Sequence, residues 1–192
     1  MSSTPALIGR ALRSLNVTQS AMMSSYQPSE PSEPTTTAAP TPPWYAAYPG
    51  PRSSEPKCIT REEVLAMLKT QLTDKTPKSA RDFVLVDLRR TDHQGGTIRG
   101  SINLPAQSLH PTIPTLYSVL RASSVRKIIW YCSSSRGRGT RAAGWFADYI
   151  SDQGDSEMQS LVLVGGIKGW ATAGPEYTQW MDEYDEPVWL KE

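Results

Sequence analysis

The stretch Lys127–Ile150, KIIWYCSSSRGRGTRAAGWFADYI, decides the fold of this chain. It opens with a short apolar run of β-branched and aromatic residues that stops at Cys132, a pattern typical of a buried strand. A segment of Ser, Gly and Arg follows, and after it comes a run of Ala and aromatic residues with helical spacing. We therefore predict a strand, a tight loop and a helix. We expect the N–H groups of the loop and of the helix N-terminus to point back at the cysteine sulfur.

The predicted loop has the composition of an anion-binding site with a thiol inside it. Free N–H groups and the helix dipole attract anions, and both favour the thiolate form of Cys132. Five residues separate this cysteine from Arg138. At that spacing the guanidinium can grip two oxygens of a tetrahedral oxyanion while the thiolate attacks its centre. We therefore predict Cys132 and Arg138 as catalytic residues. The predicted oxyanion-binding loop comprises Ser133, Ser134, Ser135, Arg136, Gly137 and Arg138.

Simpler interpretations exist for the same residues. A cysteine that ends a buried strand is commonly a small core residue, and a loop of Ser, Gly and Arg can be a solvated turn. The combination of cysteine, five residues, arginine and glycine between a strand and a helix favours the functional interpretation. Arg136 either strengthens anion binding or projects into solvent, and the second is favoured. His93 and His110 lie in turn-like contexts and are predicted to be surface residues.

Length and composition fit one domain with an appendage. The chain has 192 residues, 38% of them hydrophobic, and a formal net charge of +1. The near-neutral charge gives no reason to predict binding to nucleic acid or to acidic membranes, and no apolar run approaches the length of a membrane span. Its two cysteines, Cys58 and Cys132, predict no disulfide framework and suit a reducing compartment. The cysteines and histidines show no metal-site spacing, so no metal is predicted.

Residues 1–56 are predicted to be a disordered arm rich in Ser and Pro, and residues 57–192 the folded domain. The segment Met1–Ser29 contains Arg10 and Arg13 but no Asp or Glu, which resembles a mitochondrial transit peptide. Its amphipathic pattern is weak, so a merely disordered N-terminus is favoured. We therefore predict a cytoplasmic protein, with a mitochondrial location as the alternative.

The segment Gln27–Pro56 is predicted to be a linker. It holds nine of the sixteen prolines, and so many missing N–H donors exclude regular structure. Its aromatic residues Trp44, Tyr45 and Tyr48 either pack on the domain or form an exposed interaction patch. Packing is the favoured interpretation.

Strands alternate with helices through the rest of the chain. Thr60 and Glu63 form a capping box before the first predicted helix. The predicted strands are Phe83–Asp87, Ser101–Leu104, Ile128–Tyr131 and Leu161–Val164, and later helices are predicted at Ile113–Leu120, at Gly139–Ile150 and near Trp170–Glu183. This order predicts an α/β fold with a mostly parallel central sheet flanked by helices on both faces. Ligands bind such sheets at the carboxyl ends of the strands, where Asp87 and Cys132 lie.

Two segments resemble signatures of the rhodanese-homology superfamily. VDLRRTDHQGGTIRGSINLP (Val86–Pro105) is similar to the first signature, and LVGGIKGW (Leu163–Trp170) is similar to the closing one. The resemblance extends over roughly Ile59–Tyr184 and implies a single rhodanese-like domain.

Loop length separates the branches of that superfamily. Rhodanese-type sulfurtransferases usually carry six residues from the cysteine, whereas cell-division-cycle dual-specificity phosphatases and fungal arsenate reductases carry seven, written Cys-x5-Arg. Cys132 to Arg138 is seven residues. The Arg138-Gly139 pair followed by two alanines resembles the arsenate-reductase version, as does the doubled Gly95-Gly96. The longer loop implies a cradle wide enough for a tetrahedral phosphate or arsenate.

The resemblance also implies roles for individual residues. Cys132 would be the nucleophile and Arg138 the oxyanion clamp. Asp87 would be a supporting catalytic acid that orients Arg138 or a loop donor, or else only a structural hydrogen-bonding residue. Tyr131 stands where the phosphatase branch has a histidine, and the loop holds no carboxylate to serve as general acid. Asp92 is a candidate acid only by its nearness in sequence to Asp87.

The predicted function is therefore a cysteine-dependent oxyanion enzyme, an arsenate reductase or a phosphatase of tyrosine or dual-specificity type. Because the loop holds no carboxylate that could act as general acid, the reductase is the favoured prediction. No bound cofactor is predicted, but an arsenate reductase would use glutathione or glutaredoxin as reductant. Cys58 is predicted to pack at the domain edge rather than to resolve a modified Cys132. The alternatives are a thiosulfate-type sulfurtransferase and a non-catalytic rhodanese binding module.

Overall fold

The computed structural model describes residues 41–73 and 81–190, apart from the side chains of residues 72 and 73, and alternates strands with helices as predicted. The strands are β1 (Cys58–Ile59), β2 (Phe83–Asp87), β3 (Thr97–Ile98), β4 (Ser101–Asn103), β5 (Lys127–Tyr131), β6 (Gln159–Leu163) and β7 (Met181–Asp182). The helices are α1 (Arg61–Thr73), α2 (Ala106–Ala122), α3 (Arg138–Asp152), α4 (Gly166–Ala171), α5 (Pro175–Thr178) and α6 (Glu186–Leu190). The predictions for the segment Met1–Ser29 and for the linker up to residue 40 lie outside the described residues.

The central sheet is parallel, as predicted, and has the strand order β1-β6-β5-β2-β4. Its register places Asp87, the last residue of β2, opposite Tyr131, the last residue of β5. The ends of these two central strands therefore lie side by side at the carboxyl edge of the sheet. A small antiparallel pair, β3 with β7, lies outside this sheet.

Helices cover both faces of the sheet, and β5 contributes side chains to each face in alternation. Ile128, Trp130 and Cys132 pack with α2 and α3. Ile129 and Tyr131 pack with α1, α4 and α5. The α/β architecture with two hydrophobic cores is thus confirmed, and the continuous apolar strands of the sequence are explained by burial on both sides.

Two helix predictions need correction. The helix predicted at Ile113–Leu120 is longer, because Ala106 and Leu109 extend the same buried stripe and the helix continues through two internal prolines. The single last helix predicted near Trp170–Glu183 is wrong. Gly174, with φ of 100°, and Pro175 separate two short helices, and strand β7 follows. The predicted capping box at the start of α1 is confirmed: the N–H of Glu63 donates to Thr60 Oγ1 at 3.2 Å, and the N–H of Thr60 donates to Glu63 Oε2 at 2.8 Å.

Residues 43–54, here called the strap, run along α3. Trp145 Nε1 donates to the carbonyl oxygen of Pro49 at 2.7 Å, and Trp44 contacts the Trp145 ring edge to face. Arg52 forms ion pairs with two carboxylates of α3, those of Asp148 and Asp152. The predicted packing of Trp44 and Tyr48 is confirmed. The predicted absence of regular structure is wrong for Trp44–Ala47, which form a short 3-10 helix.

The strap is part of the compact unit, which begins at Thr41, earlier than the predicted start at residue 57. Tyr48 stacks on His110 with ring centroids 4.7 Å apart, so this histidine lies in an aromatic cluster and not on an open surface as predicted. Among the described helices, none combines the length and apolar character that a membrane crossing requires.

Candidate active site

Cys132 lies at the carboxyl end of β5 and begins the predicted loop to α3. Its side chain is buried, with 3% of its surface exposed. Ser135 adopts a left-handed conformation, with φ of 59°, and is itself buried. Its Oγ accepts a long hydrogen bond of 3.4 Å from the N–H of Cys132. The loop thus curls back over its own first residue, and the predicted strand, tight loop and helix are confirmed.

The start of α3 packs closely beneath this curl. A Cβ atom on Gly139 would lie 3.1 Å from the Cβ of Ser135, so a larger residue would push the loop away from the helix. The Arg-Gly pair of the sequence therefore has a steric reason. Arg138 is the first residue of α3, and the residue after it must leave room for the loop.

The backbone N–H groups of Ser133–Arg138 are free to bind an anion, because within the described residues none of them donates to a protein acceptor. The carbonyl oxygens of Cys132 and Ser133 are occupied differently. They accept hydrogen bonds of 3.0 Å from the N–H groups of Ile167 and Lys168 at the start of α4. The beginning of α4 thus holds the loop by its carbonyl oxygens and leaves its N–H groups available.

Arg138 is held by Asp92 through a bidentate ion pair. Arg138 Nη1 donates to Asp92 Oδ1 at 2.8 Å, and Nη2 donates to Oδ2 at 2.5 Å. Oδ1 also accepts from the N–H of Arg90 at 3.0 Å. Asp92 thus takes the two terminal nitrogens of the guanidinium, which leaves the Nε edge without a carboxylate partner in the described part of the chain.

The ion pair shifts the pKa of both Asp92 and Arg138. Hydrogen bonds from Arg138, and then from the Arg90 N–H, hold the pKa of Asp92 well below its usual range, so this carboxylate is ionised at neutral pH. The pKa of Arg138 is raised, first by the hydrogen bonds to Asp92 and then by its interaction with the Cys132 side chain. Asp92 thus fixes the guanidinium at the end of the loop that begins at Cys132.

Asp87 does not contact Arg138. It is fully buried, and its carboxylate pairs with Arg89, whose Nη2 lies 2.7 Å from Oδ2 and whose Nε lies 3.0 Å from Oδ1. Arg89 also donates to the carbonyl oxygens of Gln94 and Gly96, at 2.8 and 2.6 Å. Of the two roles that the sequence left open for Asp87, the geometry favours the structural one. The pair fixes the turn that carries Asp92.

Tyr131, the residue before the cysteine, also supports this turn. Its side chain points to the face of the sheet opposite Cys132 and is fully buried. Its hydroxyl lies 2.7 Å from Thr97 Oγ1, donates to Ser101 Oγ at 2.9 Å and accepts from the N–H of Ile98 at 3.3 Å. Burial, and then the charge of Asp87, raise the pKa of Tyr131. It is a neutral structural residue.

His93 also lies in this turn. Its Nε2 is 3.3 Å from Asp87 Oδ2, and its side chain is 32% exposed. The predicted surface histidine is thus only partly exposed, because the turn brings this ring against the buried carboxylate.

Cys58 is exposed, not packed as predicted, and it lies far from Cys132. It stands opposite Val162 in the sheet, and Val162 stands opposite Trp130 of β5. Two strand spacings across and two residues along the strand put the two cysteine Cα atoms roughly 11 Å apart. A disulfide needs Cα atoms within about 7 Å. Cys58 therefore cannot resolve a modified Cys132 without a large movement of the backbone.

Comparison with known proteins agrees with this architecture. The chain matches the family model described as Rhodanese-like domain over residues 60–173. It is therefore a member of the rhodanese-like domain family, which confirms the predicted resemblance.

Individual relatives carry more specific names. The chain is 30% identical over 109 residues to arsenical-resistance protein 2 of Saccharomyces cerevisiae, and the match covers 53% of this chain and 84% of the yeast protein. The structure of an As-Sb reductase from Leishmania major superposes with a TM-score of 0.56 at 24% identity, covering 66% of this chain and 85% of that one. Ygr203w, a yeast protein tyrosine phosphatase of the rhodanese family, gives a TM-score of 0.57 at 21% identity, covering 69% and 96%. The two structural matches show a shared fold.

Proposed function

We propose that this chain is a cysteine-dependent oxyanion enzyme of the arsenate-reductase or phosphatase type, in which the Cys132 thiolate attacks a tetrahedral oxyanion. The observation that carries the proposal is the seven-residue loop from Cys132 to Arg138. It combines a buried thiol at its start, backbone N–H groups that donate to no acceptor within the described residues, and a guanidinium that Asp92 fixes at its end. The names of the yeast and Leishmania relatives support the same chemistry.

For arsenate, the sulfur of Cys132 forms a bond to arsenic and one oxygen leaves as water. The thiolate of a second molecule, such as glutathione, then attacks the sulfur of Cys132. The sulfur–arsenic bond breaks, and its electron pair stays on arsenic, which is thereby reduced from As(V) to As(III). Another thiol opens the mixed disulfide and restores Cys132. In total, arsenate and two thiols give arsenite, one disulfide and one water.

The thiols of this reaction come from outside the chain. The sequence has two cysteines, and Cys58 lies too far from Cys132 to act as the second thiol. Glutathione or glutaredoxin is the proposed reductant. A cytoplasmic location stays a prediction that follows from the same need for a reducing compartment.

For a phosphoester, the thiolate attacks phosphorus, the alcohol leaves, and water hydrolyses the cysteinyl-phosphate. A poor leaving group needs a proton from a general acid. Asp92 is the carboxylate that contacts Arg138, and it is ionised and bound there. We therefore expect aryl esters, whose leaving groups need no acid, to react much faster than alkyl esters. Arsenate reduction depends less on such an acid.

Three assays run side by side test the proposal: arsenate with glutathione and glutaredoxin, an aryl phosphate, and thiosulfate with cyanide. Each compares the wild-type chain with Cys132→Ser and with Cys58→Ser as the matched control. We expect turnover of arsenate or aryl phosphate that disappears in Cys132→Ser and persists in Cys58→Ser. Activity on thiosulfate alone would overturn the proposal in favour of a sulfurtransferase. Activity that survives in Cys132→Ser would exclude Cys132 as the nucleophile.

A further inference from the structure

A second positively charged surface lies next to the oxyanion loop. Between the strap and the start of α3 there is an open cavity of about 280 Å³. Its lining comprises Pro51, Ser53, Ser54, Arg136, Gly137, Thr140 and Arg141. The lining thus includes two arginines and no acidic residue. Arg136 and Gly137 belong to the oxyanion loop itself, so this cavity is directly next to that loop.

In the described part of the chain, the two arginines of this cavity have no carboxylate partner, unlike other arginines near them. Arg52 is paired with two carboxylates of α3, and Arg138 is paired with Asp92. Within residues 41–73 and 81–190, neither Arg136 nor Arg141 forms an ion pair. Their charges are therefore available to an anion from outside the chain.

Arg141 is oriented by the strap. Its guanidinium carbon lies 3.6 Å from the centre of the Tyr45 ring, a cation–π contact, and its backbone N–H donates to the carbonyl oxygen of Gly137 at 3.0 Å. Arg52 also holds the strap on α3, through its pairs with carboxylates of that helix. The strap and α3, which line the cavity, are thus tied together, and one of the cavity's cations is held in place by an aromatic ring.

We propose that this cavity is a second anion subsite, which binds a carboxylate or phosphate group of the molecule that reacts at Cys132. Such a group belongs either to the phosphoester substrate or to the thiol that reduces the cysteine adduct. The subsite gives the enzyme a preference for doubly anionic reaction partners over a bare oxyanion or a neutral thiol. The inference rests on the proposed function, since it takes the Ser133–Arg138 loop as the primary anion site.

Protection of Cys132 from alkylation tests the subsite without requiring turnover. Iodoacetamide labelling of Cys132 is followed by mass spectrometry in the presence of methylphosphonate, of alkylphosphonates, and of phosphonocarboxylates of matched and increasing chain length. Labelling of the exposed Cys58 serves as the internal control. In the wild type we expect the best phosphonocarboxylate to protect at a concentration about tenfold lower than its uncharged match, the value of one charge-assisted hydrogen bond.

The variant Arg141→Gln, at a position outside the Ser133–Arg138 loop, should remove most of this preference and leave protection by methylphosphonate unchanged. Arg141→Lys should retain most of it. Arg121→Gln removes the same charge from another arginine that lies over a tyrosine ring, and it should behave like the wild type. Equal protection by the carboxylated and uncharged ligands in the wild type would overturn the subsite. An equal loss for both ligands in Arg141→Gln would also overturn it, by indicating only a general electrostatic effect. Failure of methylphosphonate to protect Cys132 would instead overturn the primary cradle, and the proposed function with it.

Steady-state kinetics show whether the second anionic group belongs to the reducing thiol or to the phosphoester substrate. With arsenate as acceptor, Arg141→Gln is assayed with 3-mercaptopropionate and with 3-mercaptopropanol. With an aryl phosphate, it is assayed on esters with and without a carboxylate substituent. A rise in KM restricted to the carboxylated thiol assigns the subsite to the reductant, and a rise restricted to the carboxylated ester assigns it to the substrate. No change in any KM would contradict a role of the subsite in turnover.

Discussion

Replacing Asp92 by Asn is expected to lower kcat/KM for every oxyanion substrate by a similar factor. The carboxylate binds the two terminal nitrogens of Arg138 and leaves the Nε edge for the substrate, so we infer that it positions the clamp and does not block it. Asn keeps one acceptor oxygen but loses the charge and the second hydrogen bond. The guanidinium then has to be ordered by the substrate itself.

The size of the effect follows from the exposure of the pair. Charge-assisted hydrogen bonds contribute about 1.5–3 kcal/mol when buried, whereas exposed ion pairs contribute about 0–1 kcal/mol. The side chains of Arg138 and Asp92 are 23% and 41% exposed, between these limits. A loss of about 1–2 kcal/mol in transition-state binding lowers kcat/KM by roughly 5- to 30-fold. Removing the clamp itself, in Arg138→Ala, should reduce the rate by about 100-fold or more.

The assay compares aryl phosphates whose leaving groups differ in basicity, together with arsenate. Asp182→Asn is the control, since Asp182 also pairs with an arginine, Arg99, in a more exposed ion pair that is far from Cys132 in sequence. An equal loss of kcat/KM for all of these substrates supports a positioning role for Asp92. A loss confined to the most basic leaving groups would instead identify Asp92 as a general acid. An unchanged or faster Asp92→Asn variant would refute the reasoning, because Asp92 would then compete with the substrate for Arg138.

Further predictions concern the residues that support the site. Because the pKa of Asp92 is lowered in the folded chain, its stabilising effect is complete above the unfolded-state pKa of about 4 and is lost at lower pH. In denaturant unfolding, the free energy of unfolding of Asp92→Asn should therefore be lower than that of the wild type by about 1 kcal/mol at pH 7, a small value because the pair is partly exposed. This difference should become smaller below pH of about 4. A difference that stays the same in acid would contradict the prediction. Gly166→Ala would push a Cβ into the carbonyl oxygens of Cys132 and Ser133, and it should abolish activity and lower the melting temperature. Gly169→Ala is the control, because its Cβ would make only an ordinary contact at 3.8 Å, and it should change activity and melting temperature very little. Tyr131→Phe removes a buried hydroxyl with three partners and should destabilise the chain by about 1–3 kcal/mol while retaining most of the turnover of the remaining folded protein. Asp87→Asn leaves a buried arginine without its charge partner and should lower the free energy of unfolding by about 3–5 kcal/mol, with any loss of activity tracking the loss of folded protein in calorimetry.

The sequence predicted those features that depend on local patterns. Apolar runs of strand length, the capping box at Thr60 and the spacing from Cys132 to Arg138 lie within short stretches of chain, and the structure has each of them. The prediction of a single last helix is wrong because the periodicity of its aromatic residues continues across the break at Gly174-Pro175. The preference of a positive-φ glycine for a turn, and the proline after it, were the available signals.

The partner of Arg138 was less accessible to sequence reasoning. Asp92 and Arg138 are 46 residues apart, and they meet only because β2 and β5 are neighbours whose last residues are in register. Asp87 ends a strand, which favours it as the acid in the sequence, but a side chain at a strand end can also bind only to residues of the turn that follows. The Asp-x-Arg spacing from Asp87 to Arg89 is the sequence signal for such a buried pair.

The site is assembled from three connections that follow the carboxyl ends of strands. The groups present in the described site and those absent from it both limit its chemistry. The turn after β2 supplies Asp92, the loop after β5 supplies Cys132 and Arg138, and the turn after β6 holds the loop by its carbonyl oxygens. Asp92 is ionised in its pair with Arg138, so we expect reaction partners whose leaving group departs without a general acid. Since Cys58 is out of reach of Cys132, we expect a reductive reaction to use a thiol from another molecule. An enzyme that depends on its partner in this way gains from recognising a second charge on that partner. Arg136 and Arg141, which form no ion pair with the described residues, are placed next to the loop to do so.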